Sequence, residues 1–354
     1  MRAPLLLLLM LLLPGCAALH WVPLPDHAQP YRVKTADGWQ IALVRYRPAG
    51  PSTGRPVVLV HGISANARNM DLDDGHSMAR WFASQGREAW TVSLRGCGES
   101  DEANGADRAS SYTFDAFWQY DLPAVIAEVK AVTRADSVDY VGHSMGGMVL
   151  YAYLAQGGQG IHAAATLGSP TRLDWGTQNE AIIVAAARFI PAGWALWTAL
   201  GARAVVPLQG LVDDGPIERL FYVTGNTTLT SWKRLIAYGT ADIAAGVAAQ
   251  FVTAVATGNF VSADQAIDFR AGLKEVTTPV LVVAARLDRL ALTPAVYDGY
   301  RALGGPKQWL LISRAHGAVA EYGHMDLVVG DRASTEVWTP VLQFFNQHEV
   351  KEPP

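Results

Sequence analysis

Six short apolar runs recur along the chain, and stretches long enough for a helix separate them. The runs are RPVVLVHG (55–62), EAWTVSLRG (88–96), SVDYVGHS (137–144), AAATLGSP (163–170), PVLVVAARLD (279–288) and KQWLLISRA (307–315). Most of them do not alternate between polar and apolar residues, as expected for strands that are buried on both faces of a sheet. Helical patterns such as those over 113–133 and 147–156 lie between them. This order predicts an α/β fold with a mostly parallel sheet and helices on both faces.

Two segments interrupt the alternation. YRVKTADGWQIALVRYRP is typical of a hairpin that turns at Asp37-Gly38 and adds an antiparallel edge before the parallel strands. The segment 171–270 contains two apolar, helix-like blocks and no convincing buried strand, and a structureless loop of this length is uncommon in a compact domain. We therefore expect a helical cap over the carboxyl ends of the strands. The predicted organisation is a signal peptide (1–15), a linker (16–30), an α/β core in two parts (31–170 and 271–354) and the cap insertion (171–270).

The first residues have the pattern of a secretion signal. In MRAPLLLLLMLLLPGCAALH, one early positive charge precedes nine apolar residues (5–13), which as a helix span about 13 Å and are too few to cross a bilayer. Leu13-Pro14-Gly15-Cys16 is similar to the bacterial lipoprotein signal, in which the cysteine receives the lipid. The alternative is an ordinary signal peptide cleaved nearby, with Cys16 incidental. We expect an exported protein anchored through Cys16 and, because Ala17 and not Asp follows, held in a bacterial outer membrane.

Composition excludes several classes of function. The chain has 354 residues, half of them apolar, and a formal net charge of −4 without a basic run, so nucleic-acid binding has no electrostatic footprint. The two cysteines, Cys16 and Cys97, cannot form a four-ligand zinc site by themselves, and we predict no metal and no cofactor. A disulfide between them can form only if Cys16 is not lipidated. Cys97 lies in the polar turn SLRGCGES, where we expect it to be structural.

The turn after the run at 137–144 holds a serine among glycines. Gly142-His143-Ser144-Met145-Gly146 has the Gly-x-Ser-x-Gly pattern of a nucleophile elbow, in which a strand bends sharply into a helix and exposes the serine. The glycines permit the tight bend and the close packing of the helix on the strand. Small residues are common at strand–helix turns, but the strand–turn–helix context makes Ser144 the candidate nucleophile.

A serine hydroxyl is a weak nucleophile at neutral pH, so it needs a base, and the base needs an orienting acid. In this architecture the chain order is Ser, then Asp or Glu, then His, and each partner follows a strand. Asp288 lies at the end of the Val-rich run PVLVVAARLD, and His324 lies in AEYGHMDLVVG, past the last run. Ser144, Asp288 and His324 therefore form the predicted catalytic triad.

Three other residues compete for these roles. His316, in SRAHGAV, follows the same run and is the alternative base, but Gly323 and the apolar helix that follows favour His324. Asp326 is an alternative acid, yet it is two residues from His324 and should point elsewhere. His143 precedes the nucleophile, and we expect it to point away from the pocket and to be structural.

The transition state of acyl transfer needs donors for its developing oxyanion, and two backbone N–H groups usually supply them. One belongs to the residue after the nucleophile, which is Met145. The other belongs to the loop after an early strand, where His61-Gly62 ends a Val-rich run and Ile63 follows. We predict an oxyanion hole formed by Ile63 and Met145, and the alternative is a plain His-Gly turn.

Taken together, these motifs resemble those of the α/β-hydrolase superfamily, from about Tyr31 to the end of the chain. Two segments are similar to the acid lipase group, of lysosomal and gastric type, and to its bacterial relatives. One is YTFDAFWQYDLPAVIAEV, before the nucleophile strand, and the other is YGHMDLVVGDRA, with an aromatic residue before the histidine and an aspartate after it.

The resemblance implies an α/β-hydrolase fold with the catalytic serine, acid and base at Ser144, Asp288 and His324. SLRGCGES departs from the wider superfamily, in which histidine or asparagine often occupies the position of Cys97. The cap segment shows little similarity, and because it governs substrate choice, the lipase subtype stays open.

The predicted function is a serine hydrolase that cleaves carboxylic esters through an acyl-enzyme intermediate. The cap segment is rich in Ala, Val, Leu and Trp and carries few charges, so we expect an apolar pocket wall and acyl chains of medium length or longer. Its tryptophans include Trp175, Trp194, Trp197 and Trp232. The expected partners are a small-molecule ester or lipid and, through the anchor, a membrane surface.

Alternatives on the same scaffold stay open. An acyltransferase, a small-ester esterase, a peptidase or a cofactor-free haloperoxidase can use the same triad, and the fold alone does not separate them. A peptidase directed at amines would need acidic groups near the pocket, and the cap segment offers few. Dehalogenases and epoxide hydrolases are disfavoured because they use Asp where Ser144 stands. A non-catalytic lipid-binding protein is disfavoured because all the catalytic parts are present.

Overall fold

The computed structural model describes residues 17–100, 112–173, 198–210, 215 and 218–349. Its strands are β1 (Gln29–Lys34), β2 (Gln40–Tyr46), β3 (Val57–Val60), β4 (Ala89–Ser93), β5 (Val138–His143), β6 (Ile161–Leu167), β7 (Val280–Ala285) and β8 (Lys307–Ile312). They form an eight-stranded sheet with the order β1-β2-β4-β3-β5-β6-β7-β8. The pairs β1–β2 and β2–β4 are antiparallel, and the other neighbouring pairs are parallel. Each of the six apolar runs therefore contains one parallel strand.

Helices cover both faces of the sheet. Those within the described residues are α1 (Met78–Ser84), α2 (Leu122–Thr133), α3 (Met145–Ala155), α4 (Thr198–Val205), α5 (Glu218–Phe221), α6 (Leu229–Tyr238), α7 (Ala245–Thr257), α8 (Phe269–Gly272), α9 (Thr293–Ala302), α10 (Asp326–Val329) and α11 (Thr339–His348). Shorter 3₁₀ and π turns occupy Ala67–Asn69, Phe117–Asp121, Val206–Leu208, Leu273–Glu275, Arg314–His316 and Ser334–Trp338. The helices α2, α3 and α9 contribute to the core on one face, and α1, α10 and α11 contribute to the core on the other. The predicted α/β architecture is confirmed.

Burial explains why the parallel strands lack alternation. Every residue of β3, β4, β5 and β7 is buried. In β3, Val58 and Val60 join the core formed with α2 and α3, whereas Val57 and Leu59 join the core formed with α1 and α11. Each fully buried Val or Leu side chain contributes about 1.5–3 kcal/mol through the removal of apolar surface from water. Both faces of the strand therefore stabilise the sheet.

The β1–β2 hairpin turns at Asp37 and Gly38, as the sequence predicts. Gly38 has φ +93°, a conformation that residues with a side chain rarely adopt. The Asp37 carboxylate accepts two hydrogen bonds from Arg95 (2.6 and 2.9 Å), whose buried guanidinium also donates to Asp121 (2.8 Å). A buried guanidinium needs paired carboxylates, so this network fixes the loop after β4. Burial raises the pKa of the Cys97 thiol in that loop to about 12, in agreement with a structural residue.

The described residues of the cap segment include the helices α4, α5, α6 and α7. Trp232 of α6 is 5% exposed, and its ring lies 4.4 Å from that of Tyr222. Trp232 therefore packs the cap internally and does not line an open wall. Trp175, Trp194 and Trp197 lie outside the described residues. Within the part of the chain that the structure describes, none of the helices combines the length and the apolar character that a bilayer span requires.

The first described residues lie against the cap. Tyr238, at the end of α6, donates its hydroxyl to the Ala17 carbonyl (2.9 Å), and its ring meets Trp21 edge to face with the centroids 4.8 Å apart. The Arg68 guanidinium lies 4.8 Å from the Trp21 ring centroid. Ala17 is buried by these contacts. The predicted signal peptide and Cys16 lie outside the described residues.

Candidate active site

β5 turns into α3 at Ser144, the predicted nucleophile. Ser144 has φ 53° and ψ −119°, a sparsely populated conformation for a residue with a side chain. Its N–H donates to the Leu167 carbonyl at the end of β6 (2.9 Å), and its own carbonyl accepts from the N–H groups of Gly147 and Met148. These hydrogen bonds hold the strained residue, whose side chain stays partly exposed at the carboxyl ends of the strands.

The glycines of the elbow are required because a Cβ atom does not fit at their positions. A Cβ at Gly142 would lie 2.5 Å from the backbone nitrogen of Gly147, and a Cβ at Gly146 would overlap the Val60 carbonyl oxygen. At Gly147 it would overlap the Ser169 hydroxyl. The first turn of α3 therefore packs on the backbone of β3 and against the side chains of Thr166 and Ser169, and the cluster of glycines in the sequence follows from that packing.

The predicted acid and base lie together on the loops after β7 and β8. Because an ionised carboxylate only accepts, His324 Nδ1 donates to Asp288 Oδ2, at 2.7 Å, and neither side chain is more than 4% exposed. Asp288 Oδ1 accepts from the N–H groups of Leu290 (2.8 Å) and Ala291 (2.7 Å), which orients the carboxylate. With the Nδ1 proton directed to Asp288, Nε2 of the neutral ring is the atom that can take up a proton.

Gly168 brings this pair next to the elbow. It follows Leu167, the acceptor of the Ser144 N–H, and has φ +55°. A Cβ at Gly168 would lie 3.1 Å from Asp288 Oδ2 and 3.2 Å from His324 Nδ1. The Ser144 hydroxyl and the His324 ring do not form a hydrogen bond in this structure, and catalytic contacts of this kind often tighten only when substrate binds. The three predicted residues nevertheless follow β5, β7 and β8 at the same edge of the sheet, and Gly168 lies between the elbow and the Asp288–His324 pair.

The loop after β3, residues 61–66, is called the oxyanion loop below, and it contacts the elbow directly. A Cβ at Gly62 would lie 2.9 Å from the Ser144 Cβ and 3.4 Å from its Oγ. Ile63 follows Gly62, and Met145 follows Ser144. Among the described residues, neither the Ile63 N–H nor the Met145 N–H has an acceptor. Two unpaired N–H groups beside a serine hydroxyl are suited to hold an oxyanion.

Two further histidines are buried beneath these loops. His61 Nδ1 donates to the Gly62 carbonyl (2.8 Å) and Nε2 accepts from the Leu94 N–H (3.1 Å), while burial lowers the pKa of His61 to about 4. His143 Nε2 donates to the His324 carbonyl (3.1 Å), and the two rings lie 4.6 Å apart. Burial, followed by the charge of His324, lowers the pKa of His143 well below its usual range. The sequence did not predict this contact. Through it the neutral His143 ring holds the backbone of His324, the proposed base, in place.

The alternative base and acid have other partners. His316 is exposed on the turn after β8, and its Nδ1 lies 2.7 Å from the Ser313 hydroxyl. Asp326 belongs to the loop of residues 321–331, called the base loop below. Its Oδ2 accepts from the N–H groups of Gly323 (2.7 Å) and Val223 (2.9 Å), and burial raises its pKa to about 6. Asp326 therefore stabilises the base loop through these hydrogen bonds. In the sequence, the signal for this role was an acidic residue placed before an apolar run.

The chemistry open to this arrangement is nucleophilic attack by a serine. A hydroxyl beside an imidazole, which a buried carboxylate orients, can be deprotonated as it attacks an acyl carbon, and nearby N–H groups can stabilise the resulting oxyanion. Within the described ranges, no three His, Cys, Asp or Glu side chains are grouped so as to hold a metal ion.

Comparison with known proteins agrees with the fold. A family profile described as the alpha/beta hydrolase fold matches residues 55–205. Lipase lipl-1 from Caenorhabditis elegans is 33% identical over 141 residues, which are 36% of this chain and 35% of that protein. Gastric triacylglycerol lipase from Rattus norvegicus is 33% identical over 129 residues, or 33% of this chain and 32% of that protein. The match thus spans about a third of the length of these relatives.

A solved structure resembles nearly the whole chain. An esterase from Exiguobacterium antarcticum superposes with a TM-score of 0.62 and covers 90% of this chain and 100% of its own, at 16% identity. At that identity the likeness concerns the fold alone. The chain therefore has the α/β-hydrolase fold, and over about a third of its length its sequence resembles lipases.

Proposed function

We propose that this protein is a carboxylic-ester hydrolase of lipase or esterase type. Ser144 attacks the ester carbonyl, His324 takes the hydroxyl proton on Nε2, and Asp288 orients the imidazole and stabilises its positive charge. The observation that carries the proposal is the buried Asp288–His324 hydrogen bond of 2.7 Å next to a strained, partly exposed serine. The resemblance to lipases over 141 residues supports it further.

In this mechanism the tetrahedral intermediate carries its negative charge on the former carbonyl oxygen. The N–H groups of Ile63 and Met145 donate to that oxygen, and loss of one such donor typically raises the barrier by roughly 3 kcal/mol. Collapse of the intermediate transfers the proton from His324 to the departing alcohol and leaves the acyl group on Ser144. A water molecule, deprotonated by His324, then releases the acid and restores the hydroxyl.

The proposed substrate is a lipid-like ester with an acyl chain of medium length or longer. Support comes from the apolar cap, in which Leu200, Leu208 and Leu229 are 50%, 53% and 45% exposed. Each methylene that the pocket buries should add about 0.8 kcal/mol of binding until the pocket ends. We also propose that the protein is exported and held at the cell envelope by a lipid on Cys16, which would keep the enzyme near such substrates.

Labelling with a fluorophosphonate tests the catalytic part of the proposal. We expect wild-type protein to be labelled on Ser144 and Ser144→Ala to be unlabelled, folded and inactive on p-nitrophenyl esters. Equal labelling of Ser144→Ala would show that another residue reacts. Product analysis with added alcohol separates hydrolysis from transfer, because an acyltransferase would form the new ester in place of the free acid.

A chain-length series tests the substrate class. With p-nitrophenyl esters from acetate upward, we expect kcat/KM to rise to a medium or longer chain, and we expect activity on emulsified glycerides. A steady fall from acetate onward, with no activity on glycerides, would leave a small-ester esterase. The anchor has its own test, since mass spectrometry of the N-terminal peptide should find lipid on Cys16, and an unmodified cysteine contradicts it.

A further inference from the structure

Segment 221–242, which contains α6, is called the brace below because it is hydrogen-bonded to both catalytic loops. Its C-terminal end pairs with the oxyanion loop. The Ala241 N–H donates to the Ser64 carbonyl (3.0 Å), and the Asn66 N–H donates to the Gly239 carbonyl (3.2 Å). Ser64 has φ 55° and is adjacent to Ile63, so the pairing holds a strained residue next to the proposed oxyanion donor.

The Asn66 side chain reinforces this junction. Its Nδ2 donates to the carbonyls of Tyr238 (2.8 Å) and Thr240 (3.2 Å), and its Oδ1 accepts from the Arg68 N–H (2.9 Å). Asn66 is 6% exposed. Because Tyr238 is the last residue of α6 and Thr240 lies just past it, the amide links the oxyanion loop to the helix itself.

The N-terminal end of the brace is bonded to the base loop in the same way. The backbone bonds are Met325 N–H to the Phe221 carbonyl (2.7 Å) and Asp331 N–H to the Asn226 carbonyl (2.7 Å). The Asn226 side chain donates to the Glu321 carbonyl (2.6 Å) and to Asp326 Oδ2 (3.1 Å). Asn226 therefore contacts both sides of the turn that contains His324.

Between these ends, α6 is a short, well-anchored rod. Its ten residues extend about 15 Å. The Thr228 side chain caps its N-terminus by accepting from the Ser231 N–H (3.1 Å), and the Ser231 hydroxyl donates to buried Asp73 (3.0 Å). A displacement of either end of this rod would therefore be transmitted to the other.

We propose that the brace holds the oxyanion loop and the base loop in register, and that Asn66 and Asn226 are positioning residues for the hydrolysis proposed above. Neither residue touches the reacting atoms. They act by fixing the distance between the Ile63 N–H and the His324 ring, and an error of 1 Å in such geometry can lower a rate by about a hundredfold. It follows that segment 221–242 stays in place during turnover and does not open as a lid.

Asn66→Asp is the sharpest test of the oxyanion end. The carboxylate still accepts from the Arg68 N–H but no longer donates to the Tyr238 and Thr240 carbonyls. Asn259→Asp makes the same chemical change at an exposed position of the cap outside the brace, and serves as the control. The readouts are kcat and KM on a short p-nitrophenyl ester, the inhibition constant of a boronic acid, and the fraction of sites titrated by a fluorophosphonate.

For Asn66→Asp we expect kcat to fall by about tenfold or more with KM within about twofold. Inhibition by the boronic acid, whose tetrahedral adduct mimics the oxyanion, should weaken in parallel. Asn259→Asp should match the wild type. Unchanged boronate inhibition, or a loss explained entirely by fewer titratable sites, would overturn the proposal. A wild type that hydrolyses no ester would instead refute the proposed function.

Combining Asn66→Asp with Asn226→Ala tests whether the two ends act together. If a single brace connects them, release of one end already loosens the other, and the combined loss in kcat should be smaller than the product of the separate losses. If the kcat loss of the double variant equals the product of the two single losses, each contact stabilises only its own loop, and the proposal that the brace couples the two loops would be wrong. For Asn226→Ala combined with Asn259→Asp, the kcat loss should equal the product of the two single losses, which provides the reference for independent sites.

Discussion

The nucleophile elbow and the base loop are neighbours in space, but they are held by different kinds of interaction. The elbow is fixed by close backbone packing, since a Cβ at Gly142 or Gly146 would meet main-chain atoms. The base loop is fixed by polar side chains, above all Asp288 and Asp326, which accept hydrogen bonds in a buried setting. The stability of the elbow should therefore depend little on pH but should fall when a larger side chain is introduced. The base loop should accept larger side chains better, but its stability should change with pH and with the charge of its side chains.

The largest expected effect comes from the polar side of this comparison. His324→Ala and Asp288→Asn should each lower kcat by about 10⁴-fold, because the residues of a triad such as the one proposed here act as a unit. Their melting temperatures should change far less than their rates. Steady-state kinetics with thermal unfolding checks this, and His316→Ala is the matched control because that histidine is exposed and, among the described residues, its side chain is hydrogen-bonded to Ser313 alone. Loss of activity in His316→Ala with retention in His324→Ala would reverse the assignment of the base.

On the packing side, Gly146→Ala should be the most damaging small change. The added methyl group overlaps the Val60 carbonyl, which is main chain and cannot rotate away, so unfolding should cost about 3 kcal/mol less than in the wild type. Urea denaturation measures the difference, which should be the same at pH 5 and pH 8. Gly50→Ala is the control, because nothing lies within 4 Å of a Cβ there. An equal effect in both variants would remove steric packing as the explanation.

A pH-dependent effect should distinguish the base loop from the elbow. Burial raises the pKa of Asp326 to about 6, with the nearby Asp288 charge adding to the shift, so the native state binds this proton more tightly than the unfolded chain. Stability from this residue is thus present at low pH and is lost as the pH rises through about 6. Asn does not titrate, so Asp326→Asn should not lose stability in this way. The free energy of unfolding of the variant minus that of the wild type should therefore increase by on the order of 2 kcal/mol from pH 4 to pH 7. A difference that is constant with pH would contradict this.

The smallest effect should come from a side-chain hydrogen bond that Tyr140 makes to the elbow. The Tyr140 hydroxyl donates to the Gly146 carbonyl at 2.7 Å in a fully buried position. Tyr140→Phe keeps the ring and should lower the free energy of unfolding by about 1 kcal/mol, independent of pH, with kcat nearly unchanged. Chemical denaturation and kinetics check both points. A rate loss as large as that of a triad variant would mean that hydrogen bonding, and not packing, holds the elbow.

Most of the features that the sequence predicted depend on a few neighbouring residues. Strand burial, the turn at Asp37 and Gly38, and the position of Ser144 each follow from local composition and backbone geometry. The contact between Asp288 and His324 was also predicted, because each residue follows a strand in the expected chain order. Other contacts between distant segments were missed. Asn66 meets Tyr238 across 172 residues, and Asp326 meets Val223 across 103. Such pairings depend on where the whole chain has already placed both loops, and a polar residue in an apolar run signals only that some partner exists.

The contact of Ala17 with Tyr238 limits the length of flexible chain between an anchor at Cys16 and the folded domain. A long flexible linker would let the domain tumble above a membrane and sample all orientations. Here the Ala17 carbonyl is already bonded to the end of α6, so about one residue, or roughly 3.8 Å, would separate the lipidated cysteine from the folded domain. With Cys16 lipidated, the bilayer would lie at a nearly fixed height and tilt relative to α6, and substrate would reach the enzyme from one side.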